Sequence, residues 1–175
     1  MADLHIQPAT SYTGAYGGSG TYAGFAGINS SGTAGAKGGV AQGTGPNGGS
    51  FAGGGAAAVG PNGAAAAGKF YGVSANGNAI SAQGSIGANQ SGAAGKGYVG
   101  VDSANIYGGA GGQFAYDAAT GNLDACGEAK WCNKSTGEYH EAAAYADLTK
   151  GQGGTIYTEK DGVAKTYTVP PRPTA

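Results

Sequence analysis

The chain of 175 residues is long enough for one ordinary domain, but only 20 of those residues are Leu, Ile, Val or Phe. Glycine occupies 39 positions and proline 6, so the composition borders on low complexity and excludes a large aliphatic core. The formal net charge of −1 argues against a protein that binds the phosphate backbone of nucleic acid. Two classes remain, a flexible linker and a set of β-sheets that pack through Gly and Ala. Eleven Tyr, four Phe and one Trp, spread along the chain, favour the ordered class.

Charged residues are distributed unevenly along the chain. Residues 1–96 contain one acidic and three basic side chains, whereas residues 97–175 contain nine acidic and six basic ones. We therefore expect a neutral, Gly/Ala-rich β segment over 1–96 that forms the assembly contacts. A more charged β-hairpin segment of the same domain follows over 97–169, and a Pro-rich tail occupies 170–175.

Turn signals recur along the chain at intervals of mostly 13–17 residues. Gly-Pro-Asn-Gly occurs at 45–48 and again at 60–63, and it fits a type I turn closed by a left-handed residue. Asn-Gly and Asp-Gly pairs further along are typical of two-residue hairpin turns. The residues that we assign to turns are Asn47, Asn62, Asn76, Gly77, Gly121, Asp161 and Gly162.

Between the turns the sequence is typical of extended strands. The clearest case is 154–169, where β-branched residues flank Asp-Gly on both sides. We therefore predict a mainly β fold, a Gly/Ala-rich antiparallel meander with a hairpin turn about every 15 residues, built as stacked sheets or barrel-like. A β-solenoid is the rival interpretation, but the aromatic residues do not stay in phase with the repeat. Phe51 lies four residues after Asn47, whereas Ala66 lies four residues after Asn62.

The segment 135–151 is compatible with two structures. Ser135 and Glu138 have the spacing of a capping box, and an alanine run and Lys150-Gly151 follow, which predicts a single short helix near 138–150. Alternation from Tyr139 to Tyr145 fits a strand equally well. Local propensity slightly favours the helix.

Motifs for specific chemistry are weak. The pattern G-x-G-x-x-G at 95–100 is expected by chance in a chain this rich in glycine, and the near match to a phosphate loop at 63–70 has Phe70 where a Ser or Thr would bind magnesium. The acidic residues near His140 are typical of a solvated face. We therefore expect no catalytic residues, no cofactor, no metal and no enzymatic activity.

Cys126 and Cys132 are the only cysteines, and several states remain open for them. On one straight strand they would be about 20 Å apart, which is too far for a disulfide. An intramolecular disulfide requires a tight loop around Gly127. Free thiols and a bond between subunits are the alternatives.

These patterns predict a structural protein that self-assembles through Gly/Ala-rich β-sheets, as a filament or as a subunit of a surface or extracellular matrix. One alternative is a phage or virion fibre or receptor-binding component, for which a receptor or glycan is a possible partner. The other is a small-ligand-binding β-barrel, whose cavity would be lined by Tyr98, Tyr107, Phe114, Tyr116 and Trp131.

The start of the chain lacks the pattern of a signal peptide. We therefore expect an extracellular or cell-surface location reached by a route without such a signal, or else a virion. No apolar run approaches the roughly 18 residues of a transmembrane helix, so we expect no membrane span.

Overall fold

The computed structural model describes residues 3–15 and 17–171. They form one sheet of twelve antiparallel strands in which each strand pairs with the next along the chain. The strands are β1 Asp3–Thr13, β2 Ser19–Ile28, β3 Gly35–Thr44, β4 Ser50–Gly60, β5 Gly63–Val73, β6 Ala79–Asn89, β7 Gly92–Asp102, β8 Ile106–Asp117, β9 Asn122–Asn133, β10 Glu138–Thr149, β11 Gly153–Lys160 and β12 Val163–Val169. The predicted mainly β, antiparallel meander is confirmed. It is a single sheet, and it is open, since β1 and β12 lie at its two edges.

The turns have the backbone conformations that their residue types predict. Asp161 and Gly162 both have positive φ, 48° and 78°, as a type I′ hairpin turn requires. Gly48 has a φ of 85° and its N–H donates to the Gly45 carbonyl at 3.1 Å, which closes a turn with a left-handed glycine. Gly77 repeats this arrangement between β5 and β6. Local sequence therefore determines where the chain reverses.

The two copies of Gly-Pro-Asn-Gly nevertheless form different turns. Residues 45–49 make a five-residue loop between β3 and β4. In the second copy Gly60 and Gly63 are themselves paired, so only Pro61 and Asn62 lie outside the strands. The loops between strands range from two to six residues, and this variation explains why the turn spacing is irregular.

The predicted helix near 138–150 is wrong, because these residues form β10. β10 is paired along its length with β9 and over eight residues with β11, so ladder hydrogen bonds on both sides outweigh the helix propensity of its alanines. The presumed capping box belongs to the preceding turn, in which the Asn133 side chain accepts hydrogen bonds from the backbone and hydroxyl of Ser135. Gly137 has a φ of 71°, a left-handed conformation that a right-handed helix would not accommodate.

A single sheet has no interior. No hydrophobic residue is buried in the part of the chain that the structure describes, and the accessible surface is 11613 Å². A compact protein of 16.7 kDa would expose about 7,600 Å². The chain alone therefore exposes about 4,000 Å² more than a compact fold of its mass.

Candidate assembly surface

The sheet is amphipathic, and its central strands show this most clearly. Side chains alternate between the faces along a strand, and directly paired residues share a face, so the register assigns every residue to one face. On β4–β9 one face consists of thirty-two positions, five on each of β4–β7 and six on each of β8 and β9, and every one except Asn133 is Gly, Ala, Val, Ile, Leu, Phe, Tyr or Trp. We call this the apolar face.

All charged residues of β4–β9 lie on the opposite, polar face. They are Lys69, Lys96, Asp102, Asp117, Asp124, Glu128 and Lys130. Lys130 and Glu128 form an ion pair of 3.2 Å there, and the Glu128 carboxylate raises the pKa of Lys130. These side chains are more than half exposed, so the pair adds little stability. The polar face is therefore suited to contact with water.

A row of glycines crosses the middle of the apolar face. Gly24, Gly39, Gly55, Gly68, Gly84, Gly97, Gly112 and Gly127 are paired in succession on β2–β9. We call these eight residues the glycine row. At a strand spacing of about 4.8 Å it is a strip of bare backbone about 34 Å long.

Other glycines of the same face are covered by aromatic rings. A Cβ built on Gly95 would lie 2.7 Å from the Phe114 ring, and one built on Gly72 would lie 3.1 Å from the Phe70 ring. In the glycine row the nearest atoms are backbone atoms of the same sheet, at 3.6 Å for Gly97. The sheet itself therefore leaves room for a side chain at Gly97, and the bare strip remains open to the outside.

Both edges of the sheet carry features that discourage further strand pairing. β1 has a register shift between Gln7 and Thr10, where Pro8 lacks a backbone N–H. β12 is short, with seven residues, and Pro170 follows it. Lys165 of β12 lies on the same face as the glycine row. Short strands, prolines and inward-pointing charges are the usual means by which proteins protect sheet edges.

At one corner of the apolar face, side chains connect β9, β10 and the last turn. Trp131 stacks on His140 with ring centroids 5.4 Å apart, and Nδ1 of His140 lies 3.4 Å from Oδ1 of Asp161. The same oxygen accepts the backbone N–H of Glu141 at 3.1 Å. This backbone hydrogen bond, with His140, holds the pKa of Asp161 below its usual value.

The predicted site residues are separated in the structure. The seven predicted turn residues all lie in the loops at the ends of the strands, away from both faces. Cys126 and Cys132 are free thiols on the polar face of β9. Gly127, around which a disulfide loop would form, is instead a strand position paired with Gly112 and Ala144.

The five aromatic residues proposed to line a cavity do not share a face. Phe114, Tyr116 and Trp131 lie on the apolar face, whereas Tyr98 and Tyr107 lie on the polar face. The polar face does have open surface pockets, and one of about 480 Å³ is bordered by Lys69, Gln83, Lys96 and Tyr98. No group of three or more His, Cys, Asp or Glu that could hold a metal ion occurs within the described ranges.

Sequence reasoning missed the glycine row and the sorting of charges by face. A signal for the row exists, because its members recur every 13 to 16 residues, the same interval as the turns. The proposed boundary at residue 96 falls inside β7. Within β4–β9 the charges are also separated between the two faces of the sheet.

No helix in the described residues is long and apolar enough to cross a membrane. No family model matches the chain, and the searches of curated proteins and of solved structures found no protein similar to it.

Proposed function

We propose that this is a non-enzymatic structural protein that self-assembles through its Gly/Ala-rich sheet, as a filament or as a subunit of a surface or extracellular matrix. The observation that carries the proposal is a twelve-stranded sheet without any buried hydrophobic residue among those described. Domains are normally built from two or more packed layers of secondary structure, because a sheet with an apolar face must bury it. This chain supplies one layer, and association supplies the other.

The exposed apolar side chains support the same proposal. Ile86 is 54% exposed and Val59 61% exposed, although both lie on the apolar face. Monomeric soluble proteins rarely expose a continuous apolar patch larger than a few hundred Å². The apolar face far exceeds that size, and burying it is the main source of free energy available for assembly.

A location outside the cell or at its surface belongs to the proposal as well. A matrix or filament subunit acts at high local concentration, where weak contacts per residue are repeated over many copies. Immunodetection on intact cells and in the culture medium would test the location independently of assembly.

The first experiment is light scattering on the purified protein across a concentration series, with negative-stain microscopy on the same samples. We expect particles several times heavier than the 16.7 kDa chain, and regular filaments or large ordered particles in the images. A folded, β-rich protein that stays monomeric at high concentration would contradict self-assembly.

A further inference from the structure

We infer that the second copy docks on the apolar face, sheet against sheet, and not on either edge of the sheet. This inference rests on the proposed self-assembly and names the surface that performs it. The partner is a second copy of this chain, which contributes the same apolar face.

The area of the face is sufficient for a permanent interface. Six strands at a spacing of about 4.8 Å and eleven residues of about 3.3 Å give the apolar face of β4–β9 a size of roughly 29 by 36 Å, or about 1,000 Å². Two stacked copies would bury about 2,000 Å² in total, at the lower end of the range of obligate dimers, about 2,000–5,000 Å². Stacking thus removes about a quarter of the excess exposure of about 4,000 Å² per chain.

The apolar face is also complementary to itself. Stacking two copies about a two-fold axis parallel to the strands, between β6 and β7, places the glycine row opposite the glycine row of the partner. At three places the same axis puts a large residue of one copy opposite a small residue of the other, whereas near the strand ends it puts Phe51 opposite Trp131 and Ile80 opposite Val101. Phe70 faces the position of Ala110, Phe114 that of Ala66, and Ile86 that of Gly95.

This alternation lets two sheets interdigitate, as the inner faces of β-sandwiches do. The bare backbone of the glycine row permits close approach along the centre, where Cα–H groups contact carbonyl oxygens. An isologous contact of this kind closes a pair with one surface, so the stacked pair is the first unit of assembly and larger particles need further contacts between pairs.

Edge pairing is disfavoured by the same structure. Pro8 interrupts the hydrogen-bonding groups of β1, and Lys165 would bring a charge into any sheet extended beyond β12. Charged residues on this side of the sheet lie outside β4–β9, as Lys37 on β3 and Lys160 on β11 show. The uncharged centre, β4–β9, is the part that stacking covers.

The test compares lysine at two adjacent positions of β5. Ala66 lies on the apolar face between Ala57 and Ile86, and Ala67 lies on the polar face between Ala56 and Ser85. Ala66→Lys places a charge inside the stacked interface, so we expect the concentration of half-assembly to rise about tenfold or more. Ala67→Lys places the same charge in water, and we expect a change of about twofold at most.

A second matched pair covers the event that Ala66→Lys does not fold, which circular dichroism would reveal. Ala93 lies on the apolar face of β7 between Ala88 and Tyr116, and the adjacent Ala94 lies on the polar face between Gly87 and Ala115. Ala93→Lys is expected to weaken assembly about tenfold or more, as at Ala66, whereas Ala94→Lys is not.

The outcomes separate this inference from the proposed function. Wild-type protein that never assembles contradicts both. Wild-type protein that assembles, with both members of each pair equally impaired or equally normal, overturns the docking surface alone. Monomers that float with phosphatidylcholine vesicles, and that lose flotation on Ala66→Lys, would also overturn it by assigning the apolar face to a lipid surface.

Discussion

Replacing Gly97 by valine is expected to stabilise the single sheet and to weaken its self-assembly. Gly97 lies in the glycine row on β7, and a Cβ built there meets only the Gln83 carbonyl oxygen, at the ordinary contact distance of 3.6 Å. The variant Gly97→Val therefore adds a side chain that the sheet tolerates but that projects towards the docked copy.

The two effects have opposite signs and comparable sizes. Glycine within a strand costs about 0.5–1 kcal/mol relative to alanine, and valine is a good strand former, so the sheet should gain about 1 kcal/mol. Overfilling a packed contact costs about 1–3 kcal/mol, and a two-fold arrangement repeats that cost in the partner. Even at the low end, about 2 kcal/mol for the pair, association would weaken about 30-fold.

The matched control is Gly87→Val on the polar face of β6. A Cβ at Gly87 lies 3.7 Å from the Ala64 carbonyl oxygen, so the sheet accepts it equally well, but no partner is expected on that side. Urea unfolding below the assembly concentration should show both variants as more stable than wild type. Light scattering should show impaired assembly for Gly97→Val only, and equal assembly of the two variants would refute the close approach at the glycine row.

Three further predictions concern other parts of the sheet. Gly77→Ala should lower the free energy of unfolding in urea by about 1 kcal/mol, because Gly77 has a φ of 79°, a conformation that alanine adopts only with strain. The added Cβ would meet no atom within 4 Å, so the backbone strain is the only cost. The backbone N–H of Glu141 is the main cause that lowers the pKa of Asp161. The Asp161 carboxylate therefore stabilises the folded state above the unfolded-state pKa of about 3.9, and this stabilisation is lost as pH falls through the lower pKa of the folded state. The stability difference between wild type and Asp161→Asn should therefore be constant above about pH 4 and shrink below it, and parallel curves there would contradict the assignment. Thiol titration without reductant should find two free thiols per chain, and exposed Cys126 should react faster than half-buried Cys132. A titration that finds no free thiol would indicate a disulfide.

Much of the fold can be predicted from turn chemistry. Asp161-Gly162 and the Asn-Gly at 76–77 form turns because their residues tolerate the left-handed region, and alternating segments lie between them. The same reasoning failed at β10. The helix propensity of alanine depends on the local sequence, whereas the pairing of β10 with β9 and β11 depends on residues far away along the chain. A strand that is paired on both sides has partners for its backbone N–H and C=O groups without forming a helix.

The sequence by itself determined the architecture, a meander of strands too poor in large side chains and charges to enclose a core. Only the tertiary structure decided which residues share a face, because that depends on register, and register depends on loop length. Identical Gly-Pro-Asn-Gly segments make loops of different length, so counting residues from turn to turn cannot align the strands. Once the pairing is known, glycines spaced unevenly along the chain fall into one row, and every charge of β4–β9 falls on the opposite face.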